Sequence, residues 1–243
     1  MNTYGKWVVG LAAPWLLVGC ITSPVWEYGA TADAKKESLG PCPNGMLDDG
    51  EDGNNQIIKT DGRDGYWFTF VDEWGSTIEP RGEFQMTKGG RDANSTYAAR
   101  MTGRMAPAGD SLYAGMGFAL TNPKTPTDLS FARGIRFWAK GPGKVRFKTP
   151  DINTEPLGDR CTDCYNDFGV DLFLQDEWVR YTVPFAKMQQ QPGWGDRVPE
   201  VERTGIIAVQ WQYNTPNTDY EIWVDEIEVV GCDAAQPDAG RAE

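Results

Sequence analysis

The stretch CTDCYNDFGVDL, which begins at Cys161, contains the pair of residues whose types and spacing most clearly suggest a chemical role. Its two cysteines, Cys161 and Cys164, could form half of a zinc site, a thiol redox pair or a local disulfide. A zinc site would need two further ligands, but the chain has no histidine and no second CxxC pair. A redox pair would need a thioredoxin-like βαβ context, which the surrounding sequence lacks. The pattern therefore favours a disulfide between these two cysteines.

The amino-terminal segment predicts export. Lys6 precedes the run WVVGLAAPWLLVGC, which ends at Cys20. A basic flank and an apolar segment of roughly 12 residues are typical of a secretory signal, and the segment is shorter than the roughly 20 residues of a spanning helix. The last four residues resemble the lipobox of bacterial lipoproteins, in which Cys20 would be acylated, with palmitate among its acyl chains. An ordinary signal peptide is the alternative. By the same resemblance, Ile21 favours sorting to the outer membrane of a Gram-negative bacterium.

These assignments divide the chain into four parts. We expect a lipoprotein signal peptide at 1–19, the lipidated cysteine and a flexible linker at 20–41, one folded domain at 42–232 and a disordered tail at 233–243. Four cysteines remain after Cys20, and an even number in an oxidising compartment favours disulfides. Three pairings are possible. Because Cys42 and Cys232 bracket the domain, the favoured one joins them and leaves Cys161 to pair with Cys164.

Composition argues against several classes of function. The formal net charge of -12 argues against nucleic acid as a partner, because phosphate binding needs a cationic surface. The absence of histidine excludes a Ser-His-Asp triad. Glycoside hydrolysis uses a pair of carboxylates, but among 35 acidic residues some pair is expected by chance at a suitable separation. The number of acidic residues is therefore no evidence for a hydrolase.

Alternating apolar and polar residues predict an all-β domain. The segments GIRFWAKG, KVRFKT, WVRYTVPF and GIIAVQWQY each alternate with a period of two and are bounded by turn residues. In YEIWVDEIEVV the alternation changes phase, which predicts a β-bulge near Asp225 or Glu226. The pattern over this length predicts an antiparallel two-sheet β-sandwich, or jelly roll.

Several of these segments together resemble the family 11 carbohydrate-binding modules. The likeness covers about residues 46 to 230 and rests on LDDGEDGNNQ, GRDGYWFTFVD, GIRFWAKG, the CTDC loop with its following strands, and IWVDEIEV. The resemblance implies a jelly roll with a structural calcium and a concave sheet face that can bind a β-glucan-like chain. It also implies that Asp225 and one or both of Asp49 and Glu51 are calcium ligands. The alternative is that the acidic stretch is a solvated turn, and its spacing does not match an EF-hand.

Sugar recognition combines flat aromatic rings with planar amides, guanidinium groups and carboxylates, because a pyranose ring offers both C–H patches and hydroxyls. The alternative for each tryptophan is that its ring packs in the core of the sandwich and does not contact a sugar. Six residues have suitable chemistry on predicted non-core faces or loops: Trp67, Arg136, Trp138, Trp194, Gln210 and Gln212.

The favoured function is non-catalytic binding of polysaccharide by a lipid-anchored surface protein. The first alternative is a structural or adhesion lipoprotein of the cell envelope that docks another protein. The second is a glycoside hydrolase or lyase, which would need two acids converging in a deep cleft, and the sequence indicates no such pair.

Overall fold

The computed structural model describes residues 39–232. This part of the chain contains twelve β-strands and three short 3-10 turns, at Pro156–Gly158, Phe185–Lys187 and Arg203–Gly205. No helix in the described part is long and apolar enough to cross a membrane. The strands are β1 (Pro41–Asp48), β2 (Trp67–Val71), β3 (Thr77–Glu79), β4 (Thr87–Lys88), β5 (Tyr97–Arg104), β6 (Ala114–Ala119), β7 (Gly134–Lys140), β8 (Lys144–Thr149), β9 (Phe168–Phe173), β10 (Val179–Pro184), β11 (Ala208–Tyr213) and β12 (Asp219–Val230).

The strands form two antiparallel sheets, as the sequence predicted. One sheet has seven strands in the order β10-β7-β12-β5-β3, with β1 paired to β12 and β4 paired to β5. The other has five strands in the order β2-β6-β11-β8-β9. The two sheets enclose one main core, so the predicted β-sandwich is confirmed.

An aromatic cluster joins the two sheets at the centre of the core. Trp211 of β11 is fully buried and packs edge-on against Phe137 of β7 in the opposite sheet, with ring centroids 5.1 Å apart. Phe147 lies 5.4 Å from Trp211, and Trp67 stacks on it at 5.9 Å. The predicted inward faces of β7, β8 and β11 are therefore confirmed.

The predicted bulge lies in β12. Its pairing with β7 shifts register between Asp225 and Glu228, and Glu226 adopts a left-handed backbone with φ of 45°. Each half of the strand can then turn its apolar side chains into the core.

Both predicted disulfides are present. Cys42 in β1 is bonded to Cys232, two residues after the end of β12, across a sequence separation of 190 residues. Cys161 is bonded to Cys164 within its loop. The first bond fastens the two ends of the domain together, while the second closes a small ring.

A buried carboxyl group links the first strands of the two sheets. Asp48, at the end of β1, is 1% exposed and accepts hydrogen bonds from the indole N–H of Trp67 and from the backbone N–H of Gly50. Burial raises the pKa of Asp48 from 3.8 to about 7. The unfolded chain therefore loses this proton near pH 4 while the folded chain retains it up to about pH 7, so rising pH in this window lowers the free energy of unfolding.

We expect Asp48→Asn to flatten this pH dependence, because the amide keeps a hydrogen-bond acceptor for Trp67 but cannot ionise. Wild-type protein should lose roughly 2–4 kcal/mol of stability between pH 4 and 7.5 through this group. Urea denaturation across that range measures the difference between the two proteins. The exposed Asp110→Asn is the control and should behave as wild type. An Asp48→Asn variant with the wild-type slope would refute the assignment.

Candidate functional site

The outward face of the five-stranded sheet, called here the open face, is built from two cross-strand rows. Strand pairing aligns Phe68, Gly117, Gln210, Lys148 and Gly169 in the first row. The second row consists of Phe70, Gly115, Gln212, Arg146 and Asp171. Each row thus runs from an aromatic edge over a glycine to an amide and then to charged side chains.

Glycines on β6 leave room for large side chains to lie across the sheet. A Cβ atom at Gly115 would stand 2.3 Å from the ring of Phe70, and one at Gly117 would stand 2.7 Å from Cγ of Gln210. The rings of Phe68 and Phe70 lie 6.1 Å apart, and Tyr113 extends the series 6.2 Å beyond Phe70. The β2 side of the open face is therefore a shallow aromatic strip.

Two amide side chains occupy the middle of the open face. Within residues 39–232, the side-chain amides of Gln210 and Gln212 have no hydrogen-bond partner. Gln212 is half-buried, whereas Gln210 is only 6% exposed. These groups keep their capacity to donate and accept hydrogen bonds, and Gln212 is the more accessible of the two.

The β8 side of the open face is polar and internally paired. Arg146 contacts Asp171 at 3.3 Å and donates to the carbonyl of Gln189 at 2.5 Å. Lys148 donates to Asp167 at 2.8 Å, and Asp167 also accepts from Thr154 at 2.7 Å. These contacts hold the charged groups in fixed positions before any ligand arrives.

A further carboxyl group lies near this buried pair. Burial, with an added contribution from the charge of Asp167, raises the pKa of Glu155 from 4.5 to about 7, and Lys124 and Lys148 oppose the shift. The ammonium group of Lys124 lies 4.3 Å from the ring centroid of Phe68. Cationic groups thus border the open face on both the aromatic and the polar side.

The structure separates the six residues predicted to bind sugar. Gln210 and Gln212 share the open face, but Arg136 and Trp138 point outward from β7 in the opposite sheet. There Arg136 pairs with Glu228 at 2.8 Å. Trp138 lies against the guanidinium groups of two arginines, at 5.2 and 5.6 Å.

The placement of Trp67 on a binding face is corrected, because its ring is in the core. Trp67 is 3% exposed and stacks on Phe84 at 5.1 Å. The outward aromatic residues of β2 are Phe68 and Phe70, which were not among the residues predicted to bind sugar. In this strand both alternating sets contain aromatic residues, so the period alone could not decide which set faces the core. Trp194 is exposed in a loop, as predicted.

Two of the three predicted calcium ligands come together. The carboxylates of Glu51 and Asp225 both lie within hydrogen-bond distance of the Ser95 hydroxyl, at 3.2 and 2.7 Å. Asp49 instead accepts from the backbone N–H of Glu51 at 3.2 Å. Within residues 39–232, no cluster of three or more His, Cys, Asp or Glu side chains could hold a metal ion.

The two converging carboxylates differ in their electrostatics. Burial raises the pKa of Asp225, although hydrogen bonds from Ser95 and Arg91 oppose the shift. For Glu51, burial acts in the same direction but is outweighed by backbone N–H groups of Tyr97 and Thr96, which lower its pKa. Oxygen ligands suit Ca²⁺ chemically, so calcium at this position stays a prediction.

Known structures share this architecture. No protein-family model and no curated protein matches the chain. Among solved structures, the family 11 carbohydrate-binding module of the cellulosomal cellulase Lic26A-Cel5E of Clostridium thermocellum is 18% identical. The match covers 80% of this chain and 96% of that one, with a TM-score of 0.54. The fold is that of a family 11 carbohydrate-binding module. The predicted resemblance is therefore confirmed at the level of the fold.

A second structure of a family 11 module from Clostridium thermocellum matches with the same TM-score of 0.54 and 16% identity. The match covers 80% of this chain and 98% of the module, so the module corresponds to most of the described domain. That module is in complex with a β-1,3-1,4-mixed-linked tetrasaccharide.

If calcium is bound between Glu51 and Asp225, excess EDTA should lower Tm by several degrees, because binding to the folded state alone stabilises it. Scanning calorimetry with and without calcium measures the shift. Asp225→Asn is the matched variant and should make Tm insensitive to EDTA. A wild-type Tm that does not change with EDTA would remove the calcium prediction.

Proposed function

We propose that this protein binds a β-glucan-like polysaccharide on the open face, without catalysing a reaction. The observation that carries the proposal is that the side-chain amides of Gln210 and Gln212, which have no hydrogen-bond partner in the described part of the chain, lie beside an aromatic strip on the same sheet face. A pyranose ring can place its C–H patch on an aromatic ring while its hydroxyls bond to amides and charged groups. Phe70 and Gln212 offer these two kinds of contact in a single cross-strand row.

The polar half of the open face supports recognition of hydroxyl groups. Asp171 has acceptor oxygens, and Arg146 and Lys144 hold it at 3.3 and 3.2 Å. Because these side chains are already paired, little conformational entropy is lost when a ligand hydrogen-bonds to them. The fold is shared with family 11 modules, one of which is in complex with a tetrasaccharide, and this likeness supports the proposed use of the face.

A shallow face of this kind makes weak individual contacts. Many copies on one membrane would raise the avidity for a long polymer well above the affinity of a single site. We therefore propose that the protein is a lipoprotein, acylated at Cys20 and held at the outer membrane of a Gram-negative bacterium. Cys20 lies outside the described residues.

The anchor is tested by expressing the full chain in a Gram-negative host with labelled palmitate. We expect label in the wild-type protein and in its outer-membrane fraction, because acylation needs the cysteine thiol. Cys20→Ser should carry no label and should leave the membrane fraction. Label retained by the Cys20→Ser protein would contradict the anchor.

The binding proposal is tested with residues 21–243 and an insoluble-polysaccharide panel that includes mixed-linked β-1,3-1,4-glucan and cellulose. We expect Gln212→Ala to weaken binding about fivefold and Phe70→Ala about tenfold, from the loss of one hydrogen bond and one ring contact. Depletion isotherms measure both effects, and circular dichroism checks that each variant is folded.

Trp138→Ala is the matched control, because it removes an aromatic ring from the outward face of the other sheet. It should leave binding unchanged. Loss of binding in Trp138→Ala with none in Gln212→Ala would move the site to the opposite sheet. Failure of the wild-type protein to bind any glycan would overturn the proposal and favour docking of another envelope protein.

A further inference from the structure

Two loops beyond the β9 edge of the five-stranded sheet are joined into one unit, called here the double loop, comprising residues 161–167 and 190–197. Asp163 and Asp196 connect them in both directions. The backbone N–H of Asp196 donates to the carbonyl of Asp163 at 2.9 Å, and the Asp196 carboxylate accepts from the backbone N–H groups of Thr162 and Asp163 at 2.5 and 3.2 Å. Gly195 donates to the Asp163 carboxylate at 2.9 Å.

Two buried amides fasten the interior of the double loop. Asn166 donates to the carbonyls of Gln191 and Trp194 at 2.8 and 2.6 Å, and accepts from the backbone of Gln191 at 2.9 Å. Gln190 donates to the carbonyls of Asn166 and Asp196, both at 2.8 Å. The Cys161–Cys164 disulfide closes the first loop. So many fixed contacts make this a rigid surface element.

The double loop nevertheless presents two large aromatic rings to solvent. Tyr165 is 59% exposed and Trp194 is 43% exposed. Asn166 fixes the backbone at both residues. It directly follows Tyr165 in the chain, and the Asn166 side-chain amide donates a hydrogen bond to the Trp194 carbonyl. Tyr165 also has a left-handed backbone, with φ of 75°, a conformation that is uncommon for a bulky residue and persists where surrounding contacts enforce it. The rings are thus held outward on a fixed backbone.

The double loop is continuous with the open face. Asp167 is the last residue of the first loop and contacts both rows of the open face. Its carboxylate accepts a hydrogen bond from Lys148 of the first row, and its backbone carbonyl accepts one from Arg146 of the second row at 3.3 Å. Gln189 pairs with Gly169 at the β9 edge and leads into the second loop. A chain lying across the two rows toward β9 would therefore reach the double loop next.

We propose that Tyr165 and Trp194 form a second contact surface for the same polysaccharide, extending the site past the sheet edge. The inference rests on the proposed function of the open face. Two rings on a preorganised backbone suit the flat C–H faces of successive sugars and lose little entropy on binding. The class of ligand is a neutral glycan chain long enough to span both surfaces, so the protein favours longer chains over short ones.

Titration calorimetry tests this with two probes, a mixed-linked β-1,3-1,4-glucan tetrasaccharide and an octasaccharide of the same linkage. We expect the Tyr165→Ala, Trp194→Ala double variant to lose about tenfold affinity for the octasaccharide and less than twofold for the tetrasaccharide. Phe131→Ala removes a ring that is 47% exposed on the loop leading into β7 of the other sheet, and should change neither value.

The outcomes separate the two proposals. Unchanged octasaccharide affinity in the double variant, or an equal loss for both probes, overturns the second surface while leaving the open face in place. If wild-type protein binds neither probe, the β-glucan proposal and the second surface both fail. Because both rings are exposed, the double variant should keep the wild-type Tm, and calorimetry confirms that it is folded.

Discussion

The packing of Trp211 between the two sheets determines which side chains of the domain face outward. Trp211 lies at the centre of β11 and contacts Phe137 of the opposite sheet at 5.1 Å. Because successive side chains of a strand alternate between faces, burial of Trp211 places Gln210 and Gln212 on the open face. A shift of one residue in the register of β11 would turn both amides into the core and the indole of Trp211 toward solvent. Such a shift would be highly unfavourable, because the apolar burial of Trp211 would be lost.

The outward surfaces of the two sheets differ in how their polar groups are used. On the seven-stranded sheet, Trp223 lies 5.0 Å from both Arg100 and Lys140, and Arg100 pairs with Glu221 at 2.9 Å. The tryptophans there are covered by the protein's own cations. On the open face, by contrast, Gln212 has no hydrogen-bond partner within residues 39–232. This unused hydrogen-bonding capacity supports the proposal that the five-stranded sheet is the binding surface.

The sequence was sufficient to predict the fold class, both disulfides, the bulge and the inward faces of β7, β8 and β11, because these features depend on the period of two along each strand and on the number and positions of the cysteines. It could not assign each strand to a sheet, since that depends on long-range pairing. Trp138 and Gln212 were for this reason grouped together although they lie on opposite sides of the sandwich. Trp67 was misplaced because both alternating sets of its strand are aromatic. The double loop depends on the hydrogen bond from Asn166 to the carbonyl of Trp194, 28 residues away in the sequence, and no local sequence pattern predicts such a contact.

The most direct test of the account is a footprint of bound glycan by NMR of the isotope-labelled domain with a mixed-linked β-1,3-1,4-glucan oligosaccharide. We expect the largest chemical-shift changes at the side-chain amides of Gln210 and Gln212 and at the backbone of β6, β8 and β11. Changes confined to the outward face of the seven-stranded sheet, around Trp138 and Trp223, would contradict it.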